Sequence, residues 1–366
     1  MSSRLLDNLN QQLSLTHELV AWGRVQAQRA LYFARQGQRE TATELVAAVR
    51  HEFAAAPHAE VTAWISLAEA LNKFYAKPGA EGMDRLRRAQ ALARAIQHPV
   101  LVPLCAAWLA HFEFNANRME AMVLHASQAL SQAQGDHHAA LARVSLVLAD
   151  AFHYAGRFDL AKPWYARVRE HALADGDDAM ISAMLHNVAA FRASAVRLED
   201  AFGRHSPSEA KRALMEAEST RTYDYGVGSS AMRLLVPLLR AQLFTVQKDY
   251  SSAIALFDAN IELAVEQGLA RLLACFHADR AWCHFNQQNL QLTSFDIDAA
   301  IGALIHVADP DDSAGTHARI ARVLSANGNT DASKEHEALA ARYLNEHKGN
   351  QASLLALLET LNPNPR

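Results

Sequence analysis

The sequence predicts an all-α protein built as a stack of helical hairpins. Three observations carry that prediction. Alanine and leucine dominate and β-branched residues are sparse, a mixture that favours helix over strand. Small and aromatic residues alternate at helical offsets. The blocks that carry them return about every 40 residues along most of the chain.

The stretch "LADAFHYAGRFDLAKPWYARV" (148–168) shows the pattern best. Leu148, Ala149 and Phe152 fall on one face of a first helix. Gly156 can take the left-handed conformation that ends it. Phe158, Ala161, Tyr165 and Val168 fall on one face of a second helix. Small Ala149 and Ala161 let two helices approach, and the aromatic residues fill the space beside them.

The pattern recurs. Residues 240–261 give Ala241, Phe244, Tyr250, Ala253 and Phe257, with Lys248 at the turn. Residues 29–49 give Ala30, Phe33, Gly37, Ala42 and Val46. Trp64, Leu67, Ala68 and Leu71 make a first helix, and residues 185–192 carry Asn187, Val188 and Ala189 in a further copy. Ala321, Leu324, Gly328 and Ser333 make a last copy, and weaker copies cover 100–134 and 270–307. The small positions of the second helices fall at Ala42, Met122 or Ala121, Ala161, Ala210, Ala253, Thr293 and Ser333. With these residues the chain resembles the tetratricopeptide-repeat family over about residues 19–345. The spacing near 40, rather than 34, resembles its long-repeat bacterial branch. That branch includes the maltose-activator sensor domain, peptide-pheromone receptors and kinesin light chain. The resemblance implies a right-handed α-solenoid of about eight hairpins with a ligand-binding groove.

The expected organisation has five parts. Residues 1–18 hold an N-terminal capping helix, and 19–218 hold about five hairpins. The segment "STRTYDYGVGSS" gives a break or hinge at 219–230. Residues 231–345 hold about three more hairpins, and 350–366 hold a C-terminal capping helix and tail. Terminal helices of this kind cover the open faces of a repeat array. Ser206 and Pro207 mark a helix start as N-cap and first helical residue. The acidic "ADPDDSAG" (308–315) reads as a loop and N-cap.

Composition narrows function. The formal charge of −4 and the lack of a Lys/Arg run argue against a nucleic-acid partner. No run approaches the length of a membrane-spanning helix or a secretory leader, so a cytoplasmic protein without membrane contact is expected. Three cysteines are too few for a disulfide framework. Cys275 and Cys283 lie about 12 Å apart along one helix, beyond bridging distance. There is no phosphate loop, nucleophile elbow or His-Glu-x-x-His. Cys275, Asp279 and Cys283 share a helix face, but one helix rarely supplies a whole metal site, so packing around a buried polar contact is expected. His137 and His138 read as a solvated turn. Trp64 and Trp108 read as packing residues, though they and Trp282 are the aromatic surfaces that a small-molecule site would use.

In the family that the chain resembles, the groove is lined by first-helix residues that do not pack on neighbours. Here these are Glu69, Asn72 and Lys73, then Arg143, Asp150 and His153, then His186, Asn187 and Gln242. Their mixed charge suits a peptide or protein segment. The resemblance therefore implies a non-catalytic adaptor or regulator with a protein or peptide partner, no cofactor and no metal. The alternative is a sugar or nucleotide sensor acting on a separate signalling or transcription partner.

Overall fold

The computed structural model describes residues 3–77, 79–227, 234–265 and 268–361. Helix makes up 84% of it, and no strand occurs among the described residues. A short helix, α1 (Arg4–Leu15), precedes eight helical hairpins. They are α2 (Leu19–Arg35) with α3 (Arg39–Glu52), α4 (Ala59–Ala76) with α5 (Ala80–Ala95), and α6 (Leu101–Asn115) with α7 (Met119–Gln132). Next come α8 (His138–Tyr154) with α9 (Phe158–Asp175), and α10 (Asp178–Ala201) with α11 (Pro207–Val227). The last three are α12 (Leu235–Val246) with α13 (Tyr250–Ala264), α14 (Leu273–Asn286) with α15 (Leu290–Ala303), and α16 (Pro310–Ala326) with α17 (Thr330–Thr360). Below, the first helix of a hairpin is its A helix and the second its B helix.

The turn residues explain why the hairpins repeat. Gly37, Asn117, Gly156, Gly203, Lys248, Gln288 and Gly328 each carry a positive φ between an A and a B helix. A left-handed residue there ends the A helix and turns the chain back. Gly156 adopts it with φ 75°, and Lys248 adopts it with φ 65° despite its side chain. The small B-helix positions are buried too: Ala42, Met122, Ala161, Ala210, Ala253, Thr293 and Ser333. Met122, not Ala121, takes the inner position in its hairpin.

The chain divides into two compact units. Unit 1 comprises Met1–Met184, Tyr223–Ala231 and Ser353–Arg366. Its core runs through α2 to α6, where Trp64, Leu67, Leu71, Leu86, Leu101, Trp108 and Leu109 are buried. A second cluster joins Met122, Val144, Leu148, Phe152 and Trp164 to Leu354 and Leu358 at the end of α17. Unit 2 comprises Leu185–Thr222 and Met232–Ala352. It centres on Leu238, Leu243, Phe257, Ile261 and Phe276.

Two boundaries differ from the sequence reading. Residues 219–227 complete α11, because Tyr223 and Thr220 keep helical partners: the Tyr223 hydroxyl donates to Asp178 and the Thr220 hydroxyl to the Leu185 carbonyl. Residues 228–230 of the expected break lie outside the described residues. The expected C-terminal cap is not a separate helix. No Pro or left-handed residue interrupts 330–360, so α17 runs on through it.

Candidate functional site

Aromatic and charged groups on the A helices of unit 1 gather at and beside a cavity, with Arg35, Trp64 and Trp108 on its wall and Tyr75, His111 and Arg143 outside its lining. Arg35 comes from the end of α2, Trp64 and Tyr75 from α4, Trp108 and His111 from α6, and Arg143 from α8. Gln28, Leu31 and Arg35 of α2 and Leu104, Trp108 and His111 of α6 recur at intervals of three and four, and Trp64 and Tyr75 of α4 lie eleven apart, about three helical turns. The cavity has a volume of about 290 Å³. Its apolar wall is Leu31, Leu104, Met180 and the α1 residues Leu5 and Leu9. Tyr32, Trp64 and Trp108 add aromatic surface, and Gln12, Gln28, Arg35, His137, His138 and Asp175 add polar groups.

Charge is unevenly satisfied. The Arg35 guanidinium lies 2.7 Å from the Asp177 carboxylate. Burial pulls Arg35 down, and the Asp177 charge more than restores it. Arg143 sits over the Trp108 ring, 3.8 Å from its centroid, with Arg35 at 6.0 Å from the same ring. Arg143 is 2% exposed, and its Nε and Nη2 have no hydrogen-bond acceptor among the described residues. Burial lowers it to about 10, so it stays cationic at neutral pH. The Trp64 Nε1 is likewise buried without an acceptor. His111 is held well below its ordinary value by burial and by Arg143, so it is neutral. Buried donors normally find acceptors, and these find none among the described residues.

The nine expected groove residues are distributed as follows. Glu69 pairs with Arg50 of α3 and Arg85 of α5, Asn72 donates to the Arg39 carbonyl and Thr43, and Lys73 lies 3.2 Å from Glu81. These three tie an A helix to B helices on either side. Arg143, Asp150 and His153 lie together along α8. The Tyr165 hydroxyl donates to Asp150 at 3.0 Å and lies 3.1 Å from the His153 Nδ1. His186 is buried and Asn187 half-buried on α10 of unit 2. Gln242 is buried in unit 2 and donates to Asp279 at 3.1 Å. The sequence pattern does not single out Arg35, and it offers Trp64 and Trp108 as packing residues or, for a small-molecule site, as aromatic surfaces. They are buried, and they also line the cavity. His137 and His138 are not a solvated turn. His138 opens α8, both are half-buried, and the His138 Nδ1 lies 3.1 Å from the His171 Nδ1.

In unit 2, Asp279 is the centre of a buried network rather than part of a ligand set. It accepts from Arg197 at 2.6 Å, Arg319 at 3.0 Å and Gln242. Arg319 also reaches Asp200 at 2.8 Å. Cys275 accepts from the Thr316 hydroxyl, and Cys283 lies 3.2 Å from the Thr245 hydroxyl. Burial pushes the Cys105 and Cys283 thiols up to about 12 and Cys275 higher still, so none is a ready nucleophile.

The acidic segment 308–315 is the start of α16, with Pro310 in its first turn. Burial, then Asp311, raises the Asp312 carboxyl to about 7. A carboxyl raised in the folded state adds stability at low pH and loses it as pH climbs from its unfolded value near 4 through about 7. Asp312→Asn is therefore expected to raise stability at pH 8 by about 1–2 kcal/mol and to leave it little changed at pH 4. Urea unfolding of both proteins at the two pH values measures this.

No protein-family model and no curated protein sequence matches the chain. Solved structures do. One is a Rap protein complexed with Competence and Sporulation Factor, with TM-score 0.57 and 11% identity, covering 93% of this chain and 97% of that one. Another is a signal-transduction ATPase with numerous domains that carries a tetratricopeptide-repeat sensor, from Pyrococcus horikoshii. It matches with TM-score 0.53 and 11% identity over 98% of this chain and 54% of that one. Eight hairpins, left-handed A-to-B turns and these neighbours together give the chain the fold of a tetratricopeptide-like helical-repeat protein.

Proposed function

We propose that the A-helix face of unit 1 binds a peptide or protein segment, and that the chain acts as a non-catalytic adaptor or regulator. The observation that carries this is the cavity between α1, α2, α4, α6 and α8, with two tryptophans and the Arg35 cation on its wall. A segment laid along the A helices could place one residue in it. The Rap neighbour, solved with Competence and Sporulation Factor, supports a binding role for the fold. No Ser, Thr or Cys nucleophile is among the residues that line the cavity.

The test is affinity capture from lysate of the source cells. The wild type is compared with a Gln28→Ala, Tyr75→Ala, His111→Ala variant. Gln28 lines the cavity, Tyr75 lies within electrostatic reach of Arg35 and Arg143, and His111 packs edge-on against Trp108 at 5.5 Å. The expected result is a partner held by the wild type and reduced at least about tenfold with the folded variant, a loss of about 1.4 kcal/mol. Equal recovery would move the partner to another face.

A second reading, a small-molecule sensor, is favoured by how much of the cavity wall is aromatic. It predicts no protein partner and a melting shift with one metabolite, worth about 2.7 kcal/mol at a hundredfold excess over Kd.

A further inference from the structure

We propose that α1 is a lid on the unit 1 cavity, latched at its first turn and hinged at residues 16–18, which opens to admit an apolar group of the bound segment. The proposal rests on the A-helix face of unit 1 being the binding surface and adds how the cavity in that face is entered.

Four features carry it. First, α1 is one wall of the cavity. Leu5, Leu9 and Gln12, at intervals of four and three, line it from one side of the helix. The other walls include Leu31 of α2, Trp64 of α4 and Leu104 of α6. Second, α1 is held lightly. Of its 12 residues only Leu9 is buried, against seven in α2. Among the described residues the buried core through α2 to α6 contains none from α1, so α1 can leave without dismantling that core. Third, a latch lies at its first turn. The Gly176 carbonyl accepts from the Ser3 hydroxyl at 3.2 Å and from the Leu5 N–H at 3.1 Å, and the Arg4 guanidinium donates to the Leu173 carbonyl at 2.8 Å. At the other end of the helix Leu15 is 70% exposed. Fourth, the link to α2 is unlike the turns inside the hairpins. Thr16 and Glu18 are extended, with ψ 121° and 130°, where seven A-to-B turns use a left-handed residue. Rotation about a few such residues is how an element swings on a hinge. A helix with a short latch, one buried residue and a hinge of its own opens at lower cost than the fold as a whole.

The test reads opening in the full chain, with no partner present, through one added thiol. Leu104→Cys puts a sulfur on the α6 wall of the cavity. Its reaction with dithiobis-nitrobenzoate is timed, and the unaltered chain, whose three cysteines are buried, supplies the background. Two changes are then added singly to Leu104→Cys. Leu9→Ala trims the one buried residue of α1 and leaves its latch and hinge in place. Met122→Ala weakens a core cluster that contains no α1 residue. Leu9→Ala is expected to speed the reaction about tenfold or more, and Met122→Ala less than about threefold despite an equal or larger fall in the urea midpoint. If Leu104→Cys does not fold, Gln28→Cys on the α2 wall carries the same comparison. A reaction that Leu9→Ala leaves unchanged, fast or slow, overturns the proposal, because α1 then does not control access. Equal acceleration by both changes also overturns it, because only general unfolding then exposes the wall. If the lid fails in this way while the Gln28→Ala, Tyr75→Ala, His111→Ala variant still loses its captured protein, only the lid falls. If that variant captures normally, the binding-face reading falls, whatever the thiol kinetics show.

Discussion

Asp279→Ala is expected to destabilise unit 2 by about 3–5 kcal/mol. Asp279 is fully buried and offers both oxygens to guanidinium groups: one to Arg197, the other to Arg319. Both arginines are buried as well. Burial pulls Arg197 down, and attraction led by the Asp279 carboxylate more than reverses it. Removing the carboxylate leaves two buried cations, of which Arg319 alone keeps a carboxylate contact, with Asp200. The loss is therefore the desolvation of charges now poorly paired, not merely the loss of two hydrogen bonds. Asp279→Asn keeps the shape and one acceptor oxygen, so it is expected to cost less than Asp279→Ala but still more than about 1 kcal/mol. Urea denaturation measures both. A cost below about 1 kcal/mol for the alanine variant would mean that water enters the network and solvates the arginines.

Gly176→Val is expected to release α1 and cost about 2–4 kcal/mol. Gly176 has φ 72°, a region that β-branched residues strongly avoid. A Cβ there would lie 2.8 Å from the Arg4 Cβ and 3.1 Å from the Leu5 nitrogen, so the α1 backbone would have to move. The same residue anchors α1 through its carbonyl, which accepts from the Leu5 N–H at 3.1 Å and the Ser3 hydroxyl at 3.2 Å. Arg4 adds a bond to the Leu173 carbonyl at 2.8 Å. Because Leu5, Leu9 and Gln12 line the cavity, loosening α1 would open the site as well as weaken the fold. Limited proteolysis within residues 1–18 should speed up in the variant, alongside a lower Tm. Unchanged resistance to protease would show that α1 is held elsewhere.

The repeat was legible because it is local. Ala161, Ala253 and their counterparts are small where two helices meet, and the turn residues Gly156 and Gly328 are set by backbone geometry within one hairpin. Even Lys248 was readable, since the pattern around it demanded a turn. At the C-terminus, Gly349 and Asn350 suggest a break that the helix does not take, and the absence of Pro from 330–360 was the signal for continuity. The candidate site was legible only in part. Arg143 and Asp150 follow from helical spacing on α8. Trp64 and Trp108 lie on successive A helices, and that was the available signal for an aromatic wall. Whether such residues pack or line space depends on α1 and the α9–α10 turn, far away in sequence. Asp279 shows the same limit. Its partners Arg197 and Arg319 are 82 and 40 residues away, and only their meeting turns a suggestive Cys-Asp-Cys face into an ion network. Gly315 has its reason in that meeting too, since a Cβ there would come within 2.7 Å of an Arg197 nitrogen.

The central claim is that ligands meet this chain on the A helices of unit 1. Amide hydrogen exchange with and without the captured partner tests it most directly. The account predicts slower exchange in α1, α2, α4, α6 and α8, greatest around Trp64, Trp108 and Arg143, with α3, α5 and α7 little changed. Protection confined to those B helices, or to unit 2, would contradict it.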